Sequence, residues 1–148
     1  MEELNSAVAV LIVDDDPYVR DILARWLTAA GYHTSQAEHS RAALDAVASS
    51  EPAVAMCDVE MPGPDGMWLI GRLREQFPNV GLVLCTGVDA VAPAVSMQGG
   101  VVAYVFKPFQ RAQVLAAVAK AAEWHATEIA RGGPEAPRGG LEAWLDAE

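Results

Sequence analysis

Cysteine is scarce in this chain: Cys57 and Cys85 are the only two among 148 residues. That is too few for a disulfide framework and makes a reducing, cytoplasmic setting the default expectation. Long apolar runs are also missing. The longest, Ala7 to Val13, falls far short of the roughly 20 residues that cross a bilayer. Met1-Glu2-Glu3 lacks the basic stretch that opens a secretory signal. Positive charge is the third shortage, with 10 Lys plus Arg against 20 Asp plus Glu and a net charge of −10. So acidic a surface repels phosphate backbones and anionic lipid, which argues against direct nucleic-acid or membrane binding. The three histidines, His33, His39 and His125, show no metal-ligand spacing. Apolar residues, in contrast, make up 52 % of the chain, enough for one substantial core and incompatible with wholesale disorder.

Val8-Ala9-Val10-Leu11-Ile12-Val13 is apolar at every position, as expected of a strand covered on both faces, and it runs into Asp14-Asp15-Asp16. Asp16-Pro17 reads as the N-cap and first residue of a helix with a buried stripe of Val19, Ile22, Leu23, Trp26, Leu27 and Ala30. Gly31 ends it. A short strand from His33 to Ala37 and a helix capped by Ser40 and running through Ser49 follow. Ala53 to Cys57 is a third strand, leading into Asp58. After a loop by composition from Met61, a helix from Gly66 to about Gln76 buries Leu69, Ile70, Leu73 and Phe77. Val80 to Cys85 is a fourth strand ending at Thr86-Gly87, and a short Pro93-containing helix is expected over Ala90 to Gln98. Val101 to Phe106 is the fifth strand, Lys107-Pro108 a tight turn, and Gln110 to about Ala130 a long last helix. Five strands alternating with five helices predict an α/β fold, a parallel sheet with helices on both faces.

In such a sheet, polar residues just beyond the strand C-termini converge on one edge. That rule gathers Asp14, Asp15 and Asp16 with Asp58, Thr86 and Lys107. Clustered carboxylates repel one another unless a cation neutralises them, and an oxygen-rich set favours Mg²⁺. The remaining groups suit phosphoryl transfer, with Asp58 as nucleophile and Lys107 and Thr86 placed to stabilise charge on the transferring oxygens.

Asp14-Asp15, Asp58 with Met61-Pro62 and Asp65-Gly66 after it, Thr86-Gly87 and Lys107-Pro108-Phe109 together resemble the receiver (phosphoacceptor) domain of two-component response regulators. The likeness covers roughly residues 8 to 125, in the family's order and at its usual intervals. It implies a flavodoxin-like sheet of order 2-1-3-4-5. It also implies that Asp58 accepts a phosphoryl group from a phosphohistidine on a sensor histidine kinase or histidine phosphotransfer protein. Asp15, Asp58 and the backbone carbonyl of Glu60 would then bind Mg²⁺ directly, with Asp14 acting largely through water. Lys107 would pair with the phosphoryl group, Thr86 would move to hydrogen-bond it, and Tyr104 would be the switch aromatic that follows Thr86. Glu60 and Val88 would tune the phosphoryl lifetime. Activity would be limited to self-catalysed phosphorylation and dephosphorylation. The face formed by the fourth helix, fifth strand and fifth helix would meet a second copy or a downstream output partner.

Other readings compete at several positions. Asp14 and Asp16 form an Asp-x-Asp after a strand, as in haloacid-dehalogenase-like phosphatases, but Tyr18 stands where that family wants Thr or Val. A receiver-like interaction module that is never phosphorylated would typically have lost its acidic pair or its acceptor. Cys57 and Cys85 read as small buried hydrophobes rather than a redox pair. Trp68 lies off its helix's apolar stripe and either packs locally or marks a contact patch. Leu115, Ala119, Ala122, Ala126 and Ile129 form an Ala-rich heptad seam, either a dimer contact or the helix's inner face. Residues 1–130 are thus read as a receiver with an extended last helix. Residues 131–148 are read as a Gly/Pro-rich linker and a short amphipathic tail.

Overall fold

The computed structural model describes residues 8–60, 66–87 and 101–132. Five strands, β1 (Ala9–Val13), β2 (His33–Ala37), β3 (Val54–Asp58), β4 (Gly81–Thr86) and β5 (Val101–Phe106), form one parallel sheet of order β2-β1-β3-β4-β5. The described helices are α1 (Pro17–Ala29), α2 (Ser40–Ser50), α3 (Gly66–Gln76) and α4 (Arg111–Gly132). The helix expected over Ala90 to Gln98 and the loop from Met61 lie outside the described residues, so four of the five expected helices are seen.

The unbroken apolar strands are explained by two cores, one on each face. Leu11, Val13, Ala55, Cys57, Leu82 and Leu84 point to the side covered by α2 and α3, where Ala43, Val47, Leu69, Ile70 and Leu73 meet them. Val10, Ile12, Val54, Met56, Val83 and Val105 point to the other side, against Leu23 and Leu27 of α1 and Val114, Val118 and Ala121 of α4. Burial on both faces removes any reason for polar alternation within β1, β3 and β4. β2, at the sheet edge, is the polar strand His33-Thr34-Ser35-Gln36-Ala37.

A local signal in the sequence sets the start of α1. Asp16 caps α1 by accepting a hydrogen bond from the Tyr18 amide at 2.9 Å, and Pro17 occupies the first turn. Gly31, at φ +103°, makes the left-handed exit. Three expectations need correction. The cap of α2 is His39, whose Nδ1 accepts from the Ala42 amide at 3.1 Å, and Ser40 is instead a buried helical residue. In α1, Ile22 is 44 % exposed and Ala30 is exposed, because the helix meets the sheet through Leu23 and Leu27, with Val19, Ala24 and Trp26 packed beside them. In α4 the inner face is Val114, Ala117, Val118 and Ala121, whereas Ala119 and Ala126 of the supposed seam are exposed. The seam's inner-face reading therefore holds only at Leu115 and Ala122, which pack beside that face.

α4 continues past the sheet. There the Nδ1–H of His125 donates to the Asn79 carbonyl at 2.6 Å, joining the helix to the turn before β4. Gly81 makes that approach possible, since a Cβ there would lie 2.6 Å from the Ala121 carbonyl oxygen. No helix among the described residues is long and apolar enough to cross a membrane.

Candidate functional site

Strand register brings the acidic residues together. Val10 pairs with Val54 and Ile12 with Met56, so one further step along the same face sets Asp14 beside Asp58. Asp15 follows on the loop, and carboxylate oxygens of Asp14, Asp15 and Asp58 lie within 4.8 Å of one another. Asp14 and Asp58 are each 1 % exposed, whereas Asp15 and Glu60 face solvent. Asp16 is not among the converging carboxylates, since its Oδ1 is engaged as the α1 cap.

Lys107 leaves the end of β5 across a cis Lys107–Pro108 bond, with its amide held by the Thr86 carbonyl at 2.8 Å. Its Nζ stands 3.5 Å from an oxygen of Asp14 and 3.5 Å from an oxygen of Asp58. Each carboxylate also accepts one backbone N–H at 2.9 Å, Asp14 from Asp16 and Asp58 from Glu60.

These partners do not fully offset the loss of water. Burial pushes the Asp58 carboxyl above the usual carboxylate range, against the pull of the Glu60 amide and Lys107. Asp14 rises for the same reason, with the neighbouring Asp58 charge adding to it. For Lys107, burial favours the neutral amine, but the facing carboxylates outweigh it and its pKa is raised. Two buried carboxylates that one ammonium leaves undercompensated, beside a third that is open to water, are a donor set suited to a hard divalent cation.

Thr86 and Tyr104 lie on the opposite face from this cluster. Leu84 and Tyr104 are register partners, and the Tyr104 ring packs on the core that contains Leu84. Its buried hydroxyl finds no hydrogen-bond partner among the described residues. Thr86 is fully buried at the end of β4, one residue past Cys85, the register partner of Asp58, and its hydroxyl donates to the Gly87 carbonyl at 2.9 Å. Cys57 and Cys85 are buried free thiols, and burial pushes Cys57 up to about 12, which keeps it an unreactive thiol. Val88 lies outside the described residues.

Two further residues shape the site without having stood out in the sequence. Arg20 donates to the Asp14 carbonyl at 2.7 Å and to Gln36 Oε1 at 3.0 Å, tying the β1 loop to β2. A lone Arg in the second turn of an amphipathic helix gives no sequence signal for this. Gly66 is expected from the sequence only to end a loop and start a helix, yet a Cβ there would collide with the Asp58 carbonyl oxygen and the Val59 Cα.

Comparison with known proteins agrees with this architecture. Residues 10–119 match the response regulator receiver domain. The chain is 36 % identical over 115 residues to the C4-dicarboxylate transport transcriptional regulatory protein DctD of Pseudomonas aeruginosa, covering 77 % of this chain and 25 % of DctD. It is likewise 36 % identical over 110 residues to the response regulator MprA of Mycolicibacterium vanbaalenii, covering 74 % of this chain and 48 % of MprA. The match therefore spans a quarter to a half of these longer relatives. Among solved structures, the receiver domain of NtrX from Brucella abortus is 28 % identical with a TM-score of 0.72, over 77 % of this chain and 98 % of that one. A CheY-like receiver domain protein from Methanospirillum hungatei shares the fold, with a TM-score of 0.76 at 24 % identity over 82 % of this chain and 98 % of that one. With this match over most of its length, the chain belongs to the response regulator receiver domain family of two-component systems.

Proposed function

We propose that Asp58 is the phosphoacceptor and that the Asp14, Asp15 and Asp58 carboxylates, with the Glu60 carbonyl, hold Mg²⁺. One observation carries the reading: three carboxylates lie within 4.8 Å of one another, with one ammonium 3.5 Å from two of them, at a single sheet edge. Held there, Mg²⁺ would supply positive charge for the phosphoryl oxygens. A donor approaches past exposed Asp15 and Glu60. An Asp58 carboxylate oxygen forms the new P–O bond as the P–N bond of a phosphohistidine breaks, and the electron pair of that bond stays with the leaving imidazole nitrogen. Lys107 Nζ, already turned toward Asp58, neutralises charge on the transferred group. The Glu60 amide holds the other Asp58 oxygen at 2.9 Å, which orients the attacking one.

The added charge, about −1.5 to −2, and its acceptor oxygens reward a hydroxyl that turns toward them. Thr86 gives up its bond to the Gly87 carbonyl to do so, and the space it vacates admits Tyr104, whose hydroxyl has no hydrogen-bond partner among the described residues. The partners in this reading are a phosphohistidine-bearing kinase or phosphotransfer protein and an output partner or second copy.

Acetyl phosphate with Mg²⁺, followed by intact mass and by Trp and Tyr fluorescence, tests the proposal. One phosphoryl group should be gained, and it should be lost in Asp58→Ala and on chelation. Labelling that survives Asp58→Ala overturns the assignment, and a chain that never labels is a receiver-like interaction module instead. Steady turnover of phosphate monoesters would favour a phosphatase.

A further inference from the structure

Arg20 of α1 is one of 10 basic residues in a chain with 20 acidic ones, yet its guanidinium donates to two uncharged oxygens. An Nη1–H meets the Asp14 carbonyl at 2.7 Å, and the Nε–H meets Oε1 of Gln36 at 3.0 Å. Gln36 is the register partner of Ile12 on the edge strand β2, so the guanidinium bridges the sheet and the loop after β1. A carbonyl belongs to a rigid peptide plane that also carries the next Cα. Holding the Asp14 carbonyl therefore fixes the Cα from which the Asp15 carboxylate projects. The Asp14 N–H donates to the Ala37 carbonyl at 3.2 Å, so the peptide planes on both sides of Asp14 are pinned. Asp15 itself is exposed, and its carboxylate is placed by the backbone rather than by packing.

This arginine has two effects of opposite sign on a cation at the carboxylates. As a charge, the guanidinium repels the cation, and its removal strengthens binding. As a clamp, it holds the loop that brings Asp14 and Asp15 to within 4.8 Å of Asp58, and its removal weakens binding. Mg²⁺ demands near-octahedral oxygens at about 2.0–2.1 Å, so a loop free to turn costs it a ligand. Losing a group that orients a metal ligand typically lowers affinity about 10- to 100-fold. The charge of a side chain that is only half-buried is screened by water, so the positional effect dominates. A lysine would keep the charge but lacks the rigid fork that meets two oxygens at fixed angles.

We propose that Arg20 is a positioning residue: by bridging the Asp14 carbonyl and Gln36 it sets the loop after β1 so that Asp14 and Asp15 take the cation together. The inference rests on the reading of this cluster as a Mg²⁺ centre. Calorimetric titration of the full chain with Mg²⁺ at constant ionic strength tests it. Arg20→Ala should raise Kd about tenfold while circular dichroism stays native. Gln36→Ala, at an exposed position, should raise it severalfold, and Arg20→Lys should not restore the wild-type value. Arg20→Ala combined with Gln36→Ala should bind no more weakly than Arg20→Ala alone, as two residues acting through one contact require. In labelling by acetyl phosphate, the Mg²⁺ concentration for half-maximal rate should rise with Kd, and the rate at saturating Mg²⁺ should stay near wild type. A Kd unchanged or tightened in Arg20→Ala and Gln36→Ala overturns the proposal and leaves the metal centre standing. Full rescue by Arg20→Lys does the same. A wild-type chain that binds no Mg²⁺ instead removes the metal centre, and the role of Arg20 with it.

Discussion

Among the described acidic residues, Asp14 and Asp58 alone give up almost all their water, for one backbone N–H each and a shared lysine. Burial raises both above the ordinary 3.8. A carboxyl whose native pKa exceeds its unfolded one holds its proton more tightly in the native state. Its contribution to stability therefore falls as pH rises through the native value. Without a divalent cation, these two groups weigh against the fold at neutral pH. Asp14→Asn is accordingly expected to raise the urea midpoint at pH 7 in chelator by about 1 kcal/mol of stability. The gain should shrink as pH falls toward the usual carboxylate range. A loss of stability at pH 7 would mean instead that the Lys107 pairing outweighs desolvation. Asp14, Asp58 and Lys107 were legible in the sequence because each follows an apolar strand, where a charged side chain needs a reason. Arg20 was not, since what it grips is a main-chain carbonyl, and sequence carries no mark of that.

At the scale of elements, strands were easier to read than helix phases. A strand buried on both faces is apolar throughout, so β1, β3 and β4 announce themselves. A helix presents a stripe whose width depends on what it meets. Ile22 is apolar at a helical interval, yet it sits 44 % exposed because α1 rests on the sheet through Leu23 and Leu27 with Val19, Ala24 and Trp26 beside them. The His39 cap was missed because serine is the commoner cap, whereas an imidazole nitrogen accepts the same amide hydrogen bond. The junction of β3 with α3 shows how an element start positions chemistry. Gly66 begins α3 directly against the Asp58 carbonyl and Val59, so a methyl group there must displace backbone. Gly66→Ala should cost about 1–3 kcal/mol of stability. It should also slow phosphorylation of Asp58 by acetyl phosphate more than Gly71→Ala, a position where a Cβ meets open space. Equal effects of the two substitutions would reduce Gly66 to a matter of helix propensity.

For the whole molecule, the α/β class followed from element alternation, but the strand order followed only from resemblance to a family. No residue pattern states which strand lies beside which; the order 2-1-3-4-5 is a property of crossovers, and the structure supplies it. That order puts β3 next to both β1 and β4, and it is why residues as far apart in sequence as Asp14, Asp58 and Lys107 meet. A chain of net charge −10 attracts cations everywhere, so stabilisation by Mg²⁺ alone would not identify a site. General screening and site binding differ in form. Screening depends on ionic strength and is matched by NaCl, while binding to the native state adds RT ln(1 + [Mg²⁺]/Kd), about 2.7 kcal/mol at a hundred times Kd. For a chain of this size each kcal/mol moves Tm by about 2–4 °C. Thermal melts at constant ionic strength should therefore show Tm climbing with the logarithm of Mg²⁺ concentration. Asp15→Asn should flatten that slope, because it removes the solvent-facing member of the carboxylate set while leaving the buried pair in place. If NaCl reproduces the rise, or Asp15→Asn retains it in full, the cation is held by the acidic surface at large and the sheet-edge cluster is not a metal centre.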